Sequence, residues 1–429
     1  MTEEHALHVV MNGRVIGDVR RTGRRRMRLR YDEHLPEHFT PLSISMPGPV
    51  GRYRETALDP WMEGLLPDRP ETLRQWRRRF GIANDNSSFS LLCHVGEDVA
   101  GAAQFVRPDR LEFVQERRGE LIELGSTHIA EMLRRTKADL PPSTTDDATG
   151  KFSLAGAQAK IALHRTADGW ADPIGAIPST HIIKPSIPTM NDQDLVEAVT
   201  LRTAAGLGLR TATCEITEFD DERAIVVARY DRVRRHDRWV RVHQEDMCQA
   251  MGMWPTQKYQ SQGGPGAEVI ADLIHRTSGR PEEDNRRFAQ ALVFNWLVCG
   301  TDAHARNYSL LLSGASVRLA PLYDLNSHLA YSNGSGNDLS MSTGSTYRAE
   351  RLGVGDWIRS APAIHVQPNW LREEIDRQRT GLMDAMITAT QQDDIARYDS
   401  PTIARLLTNT ERWIDGIRPG SPTFAHDLI

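Results

Sequence analysis

Cysteine is scarce and scattered. The four residues Cys93, Cys214, Cys248 and Cys299 lie far apart, and no two form a CxxC pair. That spacing suggests neither a zinc ribbon nor a disulfide framework and fits reduced thiols in a cytoplasmic protein. Long apolar runs are missing too. No stretch of eighteen apolar residues occurs, so no transmembrane helix is expected. The first ten residues carry Glu3, Glu4 and two histidines in place of a basic segment followed by an apolar core, which argues against a secretory signal. Neither sign of charge dominates: the net charge of −5 gives no global pull toward nucleic acid. A GxGxxG phosphate signature is also absent.

What is present is ordinary for a soluble globular protein, at 39% hydrophobic and 25% charged residues. A length of 429 residues predicts two or three domains. Locally the charge is uneven. Arg20, Arg21, Arg24, Arg25, Arg26, Arg28 and Arg30 crowd one stretch, and Arg74, Arg77, Arg78 and Arg79 another. Two readings stand side by side, a phosphate-binding patch and a solvated face of hairpin and helix.

The apolar pattern predicts short strands over 5–31, turned at Asn12-Gly13. Residues 58–80 read as helical on either side of a turn at Pro67-Asp68. The polar run 141–147 reads as a linker or mobile loop. Ser153 to Leu163 reads as strand, glycine-containing turn, strand. His181 to Lys184 is a short apolar strand ending in lysine. A helix is expected over 194–209, two strands over 215–227, and a helix over 285–298. A hairpin about Ser313-Gly314 follows. Residues 333–337 read as a flexible loop, and 357–417 as mostly helical.

The chemistry concentrates in Thr301-Asp302-Ala303-His304-Ala305-Arg306-Asn307 and in Pro321-Leu322-Tyr323-Asp324. Phosphoryl transfer needs a carboxylate beside the attacking hydroxyl and oxygen ligands that hold Mg²⁺ against the phosphates. Asp302 and Asn307 keep the kinase spacing of catalytic Asp and metal-binding Asn, and Asp324 follows a short hairpin in the position of the second metal ligand. The D-x₄-N pair alone is equally a helix-terminating loop. The order helix, D-x₄-N, hairpin, apolar-apolar-Asp is far more specific. Lys184 stands where a kinase places its phosphate lysine, with a plain exposed strand-end lysine as the bland reading. Glu197 on the following helix is a candidate partner for it, or a solvated helix residue. His304 is a ligand, a base or a packed histidine. Arg306 reads as a phosphate partner or a surface ion pair. Ser153 to Lys160 is rich in small residues that let backbone amides approach a phosphate.

These motifs resemble the HipA family. Lys151 to Lys160 looks like its phosphate loop, Thr180 to Pro185 like its lysine strand, and Arg229-Tyr230-Asp231-Arg232 like its hinge. Gln244 to Gln249, and Lys258-Tyr259 with Gly263-Gly264-Pro265-Gly266, are similar to the segments after the hinge. Gly300 to Asn307 and Tyr323-Asp324 are similar to its catalytic and metal motifs. Pro41 to Pro47 and Gly64 to Asp68 look like its N-terminal subdomain. Two departures are small: Arg306 replaces a familiar lysine, and Ala228 a frequent hinge glutamate.

The resemblance implies an α+β, two-lobed protein-kinase-like fold with a HipA-type N-terminal subdomain and a largely helical C-lobe. It implies an N-terminal subdomain over 1–110, a helical connector and mobile linker over 111–150, the rest of the N-lobe over 151–235, and the C-lobe over 236–429. The implied activity is that of a serine/threonine-protein kinase toxin using ATP and Mg²⁺. Asp302 is then the catalytic base, and Asn307 and Asp324 hold the metal. Ala155, Gly156, Ala157, Gln158, Lys160, Lys184, Ala228, Tyr230, Asp231 and His304, with both metal ligands, contact the nucleotide. Ser153 is the autophosphorylated residue. The implied partners are a HipB-like helix-turn-helix antitoxin, operator DNA through that complex, and a protein substrate such as an aminoacyl-tRNA synthetase, with no membrane. Two alternatives are a small-molecule phosphotransferase on a kinase-like core and a catalytically idle DNA-bound corepressor.

Overall fold

The computed structural model describes residues 5–22, 26–48, 53–82, 85–138, 153–332, 336–344 and 346–417. Arg24, Arg25, the polar run 141–147, Lys151, Phe152 and residues 333–335 lie outside them. The chain forms two compact units. One comprises Met1–Pro185, Glu218–Pro255 and Leu310–Ser316, the other Ser186–Thr217, Thr256–Ser309 and Val317–Ile429.

In the first unit the expected hairpin is His5–Met11 against Arg14–Thr22. Asn12 and Gly13 turn it with φ of 50° and 86°, the left-handed pair that a two-residue hairpin loop requires. The sheet has five strands in the order Tyr53–Arg54, Arg26–Tyr31, Arg14–Thr22, His5–Met11, Ala103–Val106. Strand alternation is clear: Met27, Leu29 and Tyr31 are buried, while Arg28 and Arg30 are exposed. Leu7, Leu29, Trp61, Phe89 and Phe105 share the core with the helices Glu55–Glu63 and Ser88–Val95.

The arginine-rich stretch divides by role. Arg21 turns inward and donates to Asp85, Ser87 and Ser90. Arg30 pairs with Glu33 and Arg74 with Glu71. Arg20 lies opposite Arg28 in register. Like charges facing across strands repel.

A second sheet in this unit includes, in order, Glu222–Ala228, His181–Pro185, Ile161–Arg165, Trp170–Gly175 and Gly119–Leu124. The helix Ser126–Lys137 packs Ile129 and Leu133 against Ile161, Leu163, Ile183 and Val226. Lys184 therefore sits on an inner strand, paired with Ile225. Residues 153–160 are a loop rather than the expected strand. Ser153 and Gly156 hydrogen-bond to Asp98, Leu65 and Asp68 rather than forming a strand ladder.

Five buried charges lie together in this unit. Arg232 Nη2 donates to Asp98 Oδ1 at 3.0 Å, and Arg241 Nη2 to the same oxygen at 3.3 Å. Arg229 grips Asp231 with two hydrogen bonds, at 3.0 and 2.9 Å. Asp98 Oδ2 also accepts from the backbone N and the hydroxyl of Ser179, at 3.0 and 2.6 Å. Burial by itself raises the Asp98 carboxyl, but Arg232, Arg229, Arg241 and Ser179 outweigh it and hold it below the usual carboxylate range.

The second unit is mainly helical, as expected for this region. Its principal helices are Gln193–Gly206, Ala267–Thr277, Pro281–Leu297, Pro368–Thr390 and Pro401–Gly416. Three of them start with proline, whose missing N–H costs nothing in the first turn. Helix Pro281–Leu297 buries Phe288, Ala291 and Trp296, and its C-terminal end delivers the chain to Asp302. The strand pair Asp338–Thr343 and Thr346–Arg348 has no counterpart in the sequence reading.

Asp98→Asn leaves three buried guanidinium groups facing one carboxylate. A loss of about 3–5 kcal/mol in urea unfolding at neutral pH is expected. The Asp98 contribution is present above the ordinary aspartate pKa and is lost as pH falls through its depressed value. The difference between wild type and variant should therefore shrink in acid.

Candidate active site

The phosphate loop is anchored from within the first unit. Ser153 N donates to Asp98 O at 3.0 Å, and Ser153 Oγ to Leu65 O at 2.8 Å. Gly156 pairs in parallel with Pro67, and its carbonyl accepts from Asp68 N at 3.2 Å. Gly156 has φ +111°, and a Cβ there would stand 2.5 Å from Lys160 Nζ, so this position needs glycine. Lys160 Nζ donates to Ala155 O at 2.7 Å, and Gln158 Nε2 to Pro185 O at 3.2 Å, which ties the loop to the end of the lysine strand. Ala157 is the exposed tip. Ser153 is fully buried. Lys184 is also buried, which removes the reading of an exposed strand-end lysine.

The hinge keeps less of its expected chemistry. Ala228 ends its strand opposite His181. Tyr230 is half-buried, and its hydroxyl donates to Gln244. Asp231 was expected beside adenine and ribose. Its carboxylate is instead enclosed, accepting from Arg229 and from Gly101 N at 2.7 Å and forming an ion pair with Arg232 Nη1 at 3.0 Å. That side chain braces the hinge and is not free for a ribose hydroxyl.

The second unit holds the candidate catalytic loop. Gly300 N donates to Asn295 O at 2.6 Å, and a Cβ on Gly300 would meet Asn295 Oδ1 at 2.4 Å, so only glycine fits. His328 N donates to Cys299 O at 3.1 Å, and Ser327 Oγ to Val298 O at 2.6 Å. Asp302 is exposed, and its carbonyl accepts from His304 N at 2.8 Å. Tyr259 OH donates to Asp302 Oδ1 at 2.6 Å. His304 is buried, with its ring edge-on to Tyr259 at 5.1 Å between centroids. Burial pushes the imidazole down to about 4, so it is neutral at neutral pH. Arg306 is buried rather than a surface ion pair.

Asn307 and Asp324 come together. Asn307 Nδ2 donates to Asp324 Oδ2 at 3.2 Å, and Asn307 Oδ1 accepts nothing among the described residues. Asp324 is exposed and adopts φ 56°, a left-handed conformation that turns the chain sharply at this carboxylate. The preceding segment is fixed on two sides. Leu322 exchanges hydrogen bonds of 2.8 Å with Arg210 O and Ala212 N, and Arg287 donates to the carbonyls of Leu319 and Ala320 at 2.7 and 3.0 Å. Tyr323 OH donates to Arg306 O at 2.7 Å, which ties the metal segment to the catalytic loop. Glu197 is fully buried rather than solvated, and accepts from Gln193 at 3.4 Å. Gln193 also donates to Asn326 at 3.2 Å.

The comparisons with known proteins agree with this arrangement. A family model described as the HipA-like C-terminal domain matches residues 152–386, and one described as the HipA N-terminal domain matches residues 7–106. The chain belongs to the HipA family. A HipA-family relative from Sinorhizobium fredii, named "Putative kinase Y4mE", is 32% identical over 96% of this chain and 94% of its own. The serine/threonine-protein kinase toxin HipA of Shewanella oneidensis is 28% identical over 66% of each chain. A solved chain from the Shewanella oneidensis MR-1 complex of HipA, HipB and operator DNA superposes with a TM-score of 0.79. That match has 23% identity and covers 96% of this chain and 99% of that one, so the HipA fold is shared. The names of the relatives support kinase activity, and with it the use of ATP.

The metal motif fits Mg²⁺ on its chemistry. An amide oxygen without a partner beside a carboxylate is a hard-oxygen pair. Mg²⁺ is commonly held by one or two carboxylates, phosphate oxygens and water rather than by an all-protein cage. Among the described residues no group of three or more His, Cys, Asp or Glu forms a metal cage. Sequence reasoning missed the Tyr259–Asp302 hydrogen bond. It singled out Lys258-Tyr259 as a motif but gave the phenol no role. Asp98 went unnoticed because nothing near it in sequence marks it.

Asn307→Ala removes the amide oxygen and the amide's hydrogen bond to Asp324 Oδ2. Calorimetric ATP titrations with and without Mg²⁺ should show that the metal no longer strengthens nucleotide binding, while metal-free binding is unchanged.

Proposed function

We propose that the chain is a serine/threonine-protein kinase acting as the toxin of a toxin–antitoxin pair. The observation that carries this reading is the second-unit loop: an exposed carboxylate, Asp302, five residues before an asparagine whose amide is oriented by Asp324 and whose oxygen is unpaired. In this reading the phosphate loop and Lys184 hold the ATP phosphates, and the hinge backbone meets adenine. Asn307 and Asp324 hold Mg²⁺, which offsets negative charge on the phosphates. Asp302 accepts the proton of a substrate hydroxyl. That oxygen bonds to the γ-phosphorus, the bond from the γ-phosphorus to the bridging oxygen breaks, and ADP leaves.

The proposed substrate is a protein of the translation machinery of the aminoacyl-tRNA synthetase type. The proposed neutralising partner is a HipB-like helix-turn-helix protein that takes the complex to operator DNA, with Arg20 and Arg28 beside the DNA backbone. The location is proposed to be the cytoplasm. Among the described residues no helix is long and apolar enough to cross a membrane. A matched N-terminal HipA domain favours this reading over a small-molecule phosphotransferase. The intact Lys184, Asp302, Asn307 and Asp324 set favours it over an idle corepressor.

Ser153 is the proposed site of self-phosphorylation. Its hydroxyl is buried and donates to Leu65 O, so the loop must leave its anchors before this oxygen can react. A phosphate there loses the donor and places charge against a carbonyl and the ATP phosphates, which disfavours return.

Incubation of purified protein with ATP and Mg²⁺ should put phosphate on Ser153, detected by mass spectrometry, and Asp302→Asn should abolish it. Wild-type labelling in the variant would refute the kinase assignment. Phosphate found only at other residues would refute the Ser153 assignment alone.

A further inference from the structure

We infer that Tyr259 is a positioning residue for the catalytic carboxylate, and that the segment 257–266 exists to present its hydroxyl to Asp302. This rests on the kinase reading above. Asp302 follows a tight turn and is exposed, so its carboxylate has rotational freedom unless something holds it. Among the described residues the one side-chain hydrogen bond it receives comes from Tyr259 OH, at 2.6 Å to Oδ1. A phenol on one carboxylate oxygen fixes the side-chain torsion and leaves Oδ2 to take the substrate proton.

The phenol is itself braced from several directions. Its ring stands edge-on to the buried His304, and Lys258 Nζ lies over the other part of the ring at 5.3 Å from the centroid. Lys258 O accepts from Ala305 N at 3.2 Å, so the backbone beside Tyr259 is joined to the catalytic loop a second time. Tyr259 O accepts from Gln262 N at 3.0 Å and from Gly264 N at 2.9 Å, closing a compact turn. That turn explains the glycines. Gly263 has φ +86°, and a Cβ on Gly264 would lie 2.1 Å from Gln257 O. The next residue, Gln260, exchanges two hydrogen bonds with Ser342, at 3.0 and 2.8 Å. Ser340, on the same strand as Ser342, donates to Thr301 O at 2.6 Å. The frame therefore meets the catalytic loop before Asp302, at Thr301, and after it, at Ala305, and a motif that had only a family resemblance acquires a physical purpose.

Orientation of a base acts on the chemical step and leaves nucleotide binding alone. Tyr259→Phe keeps the ring, its contact with His304 and its contact with Lys258, and removes only the hydroxyl. With a protein or peptide acceptor, kcat should fall roughly ten- to a hundredfold. The KM for ATP, the calorimetric affinity for ATP with Mg²⁺, and the thermal midpoint should stay at wild-type values. A wild-type or raised kcat in Tyr259→Phe would overturn the inference, the raised value marking the phenol as a plug that competes with substrate. Equal losses in ATP affinity and kcat would overturn it too. If wild type transfers no phosphate, or Asp302→Asn transfers it normally, the kinase reading falls and takes this inference with it. An active wild type, a dead Asp302→Asn and an unimpaired Tyr259→Phe would sink the inference alone.

Discussion

A 3.2 Å hydrogen bond from Asn307 Nδ2 to Asp324 Oδ2 joins two segments separated by a hairpin in sequence. It decides which way the Asn307 amide faces, because an amide that donates to a carboxylate must turn its oxygen elsewhere. The result is an acceptor without a partner beside a carboxylate, the raw material of an oxygen-rich metal site. Much of the second unit keeps this pair in place. Arg287 holds the carbonyls of Leu319 and Ala320, Leu322 is tied to Arg210 and Ala212, and Tyr323 reaches back to Arg306.

The first unit has an analogous keystone in Asp98. Its carbonyl receives the first residue of the phosphate loop, and its carboxylate binds Ser179, Arg232 and Arg241. Ser179 precedes the lysine strand, and Arg232 follows the hinge. One buried aspartate from the N-terminal domain thus touches three segments to which the proposed function assigns nucleotide binding. Isolated, such a charge would be prohibitive to bury. Surrounded by three arginines and a second aspartate it is well solvated by the protein, and unusually sensitive to the loss of any one partner.

The candidate catalytic loop stands out in the sequence because the proposed chemistry dictates residue type and spacing together. D-x₄-N followed by a hairpin and a second aspartate has few other uses. Strand His181–Pro185, the hairpin at Asn12-Gly13 and helix Pro281–Leu297 were legible through periodicity and turn chemistry. Contacts between residues distant in sequence were not. Asp98 meets Arg241, and Tyr259 meets Asp302, through tertiary placement that no local pattern encodes. The same limitation misled the reading of Asp231. Beside a hinge a carboxylate suggests ribose, yet the neighbouring Arg229 and the distant Gly101 N claim both of its oxygens. The loop 153–160 looked like a strand because its residues are small and apolar. Its partners turned out to be a turn, Leu65 to Asp68, and a carbonyl at Asp98.

As proposed, this chain moves the γ-phosphate of ATP to hydroxyl groups of another protein. Quantitative phosphoproteomics of cells induced to express wild type or Asp302→Asn tests that most directly. A small set of serine or threonine sites on translation proteins, rising within minutes of wild-type induction and absent with the variant, is the predicted result. Indistinguishable phosphoproteomes at equal expression of both forms, with self-labelling also absent, would contradict it.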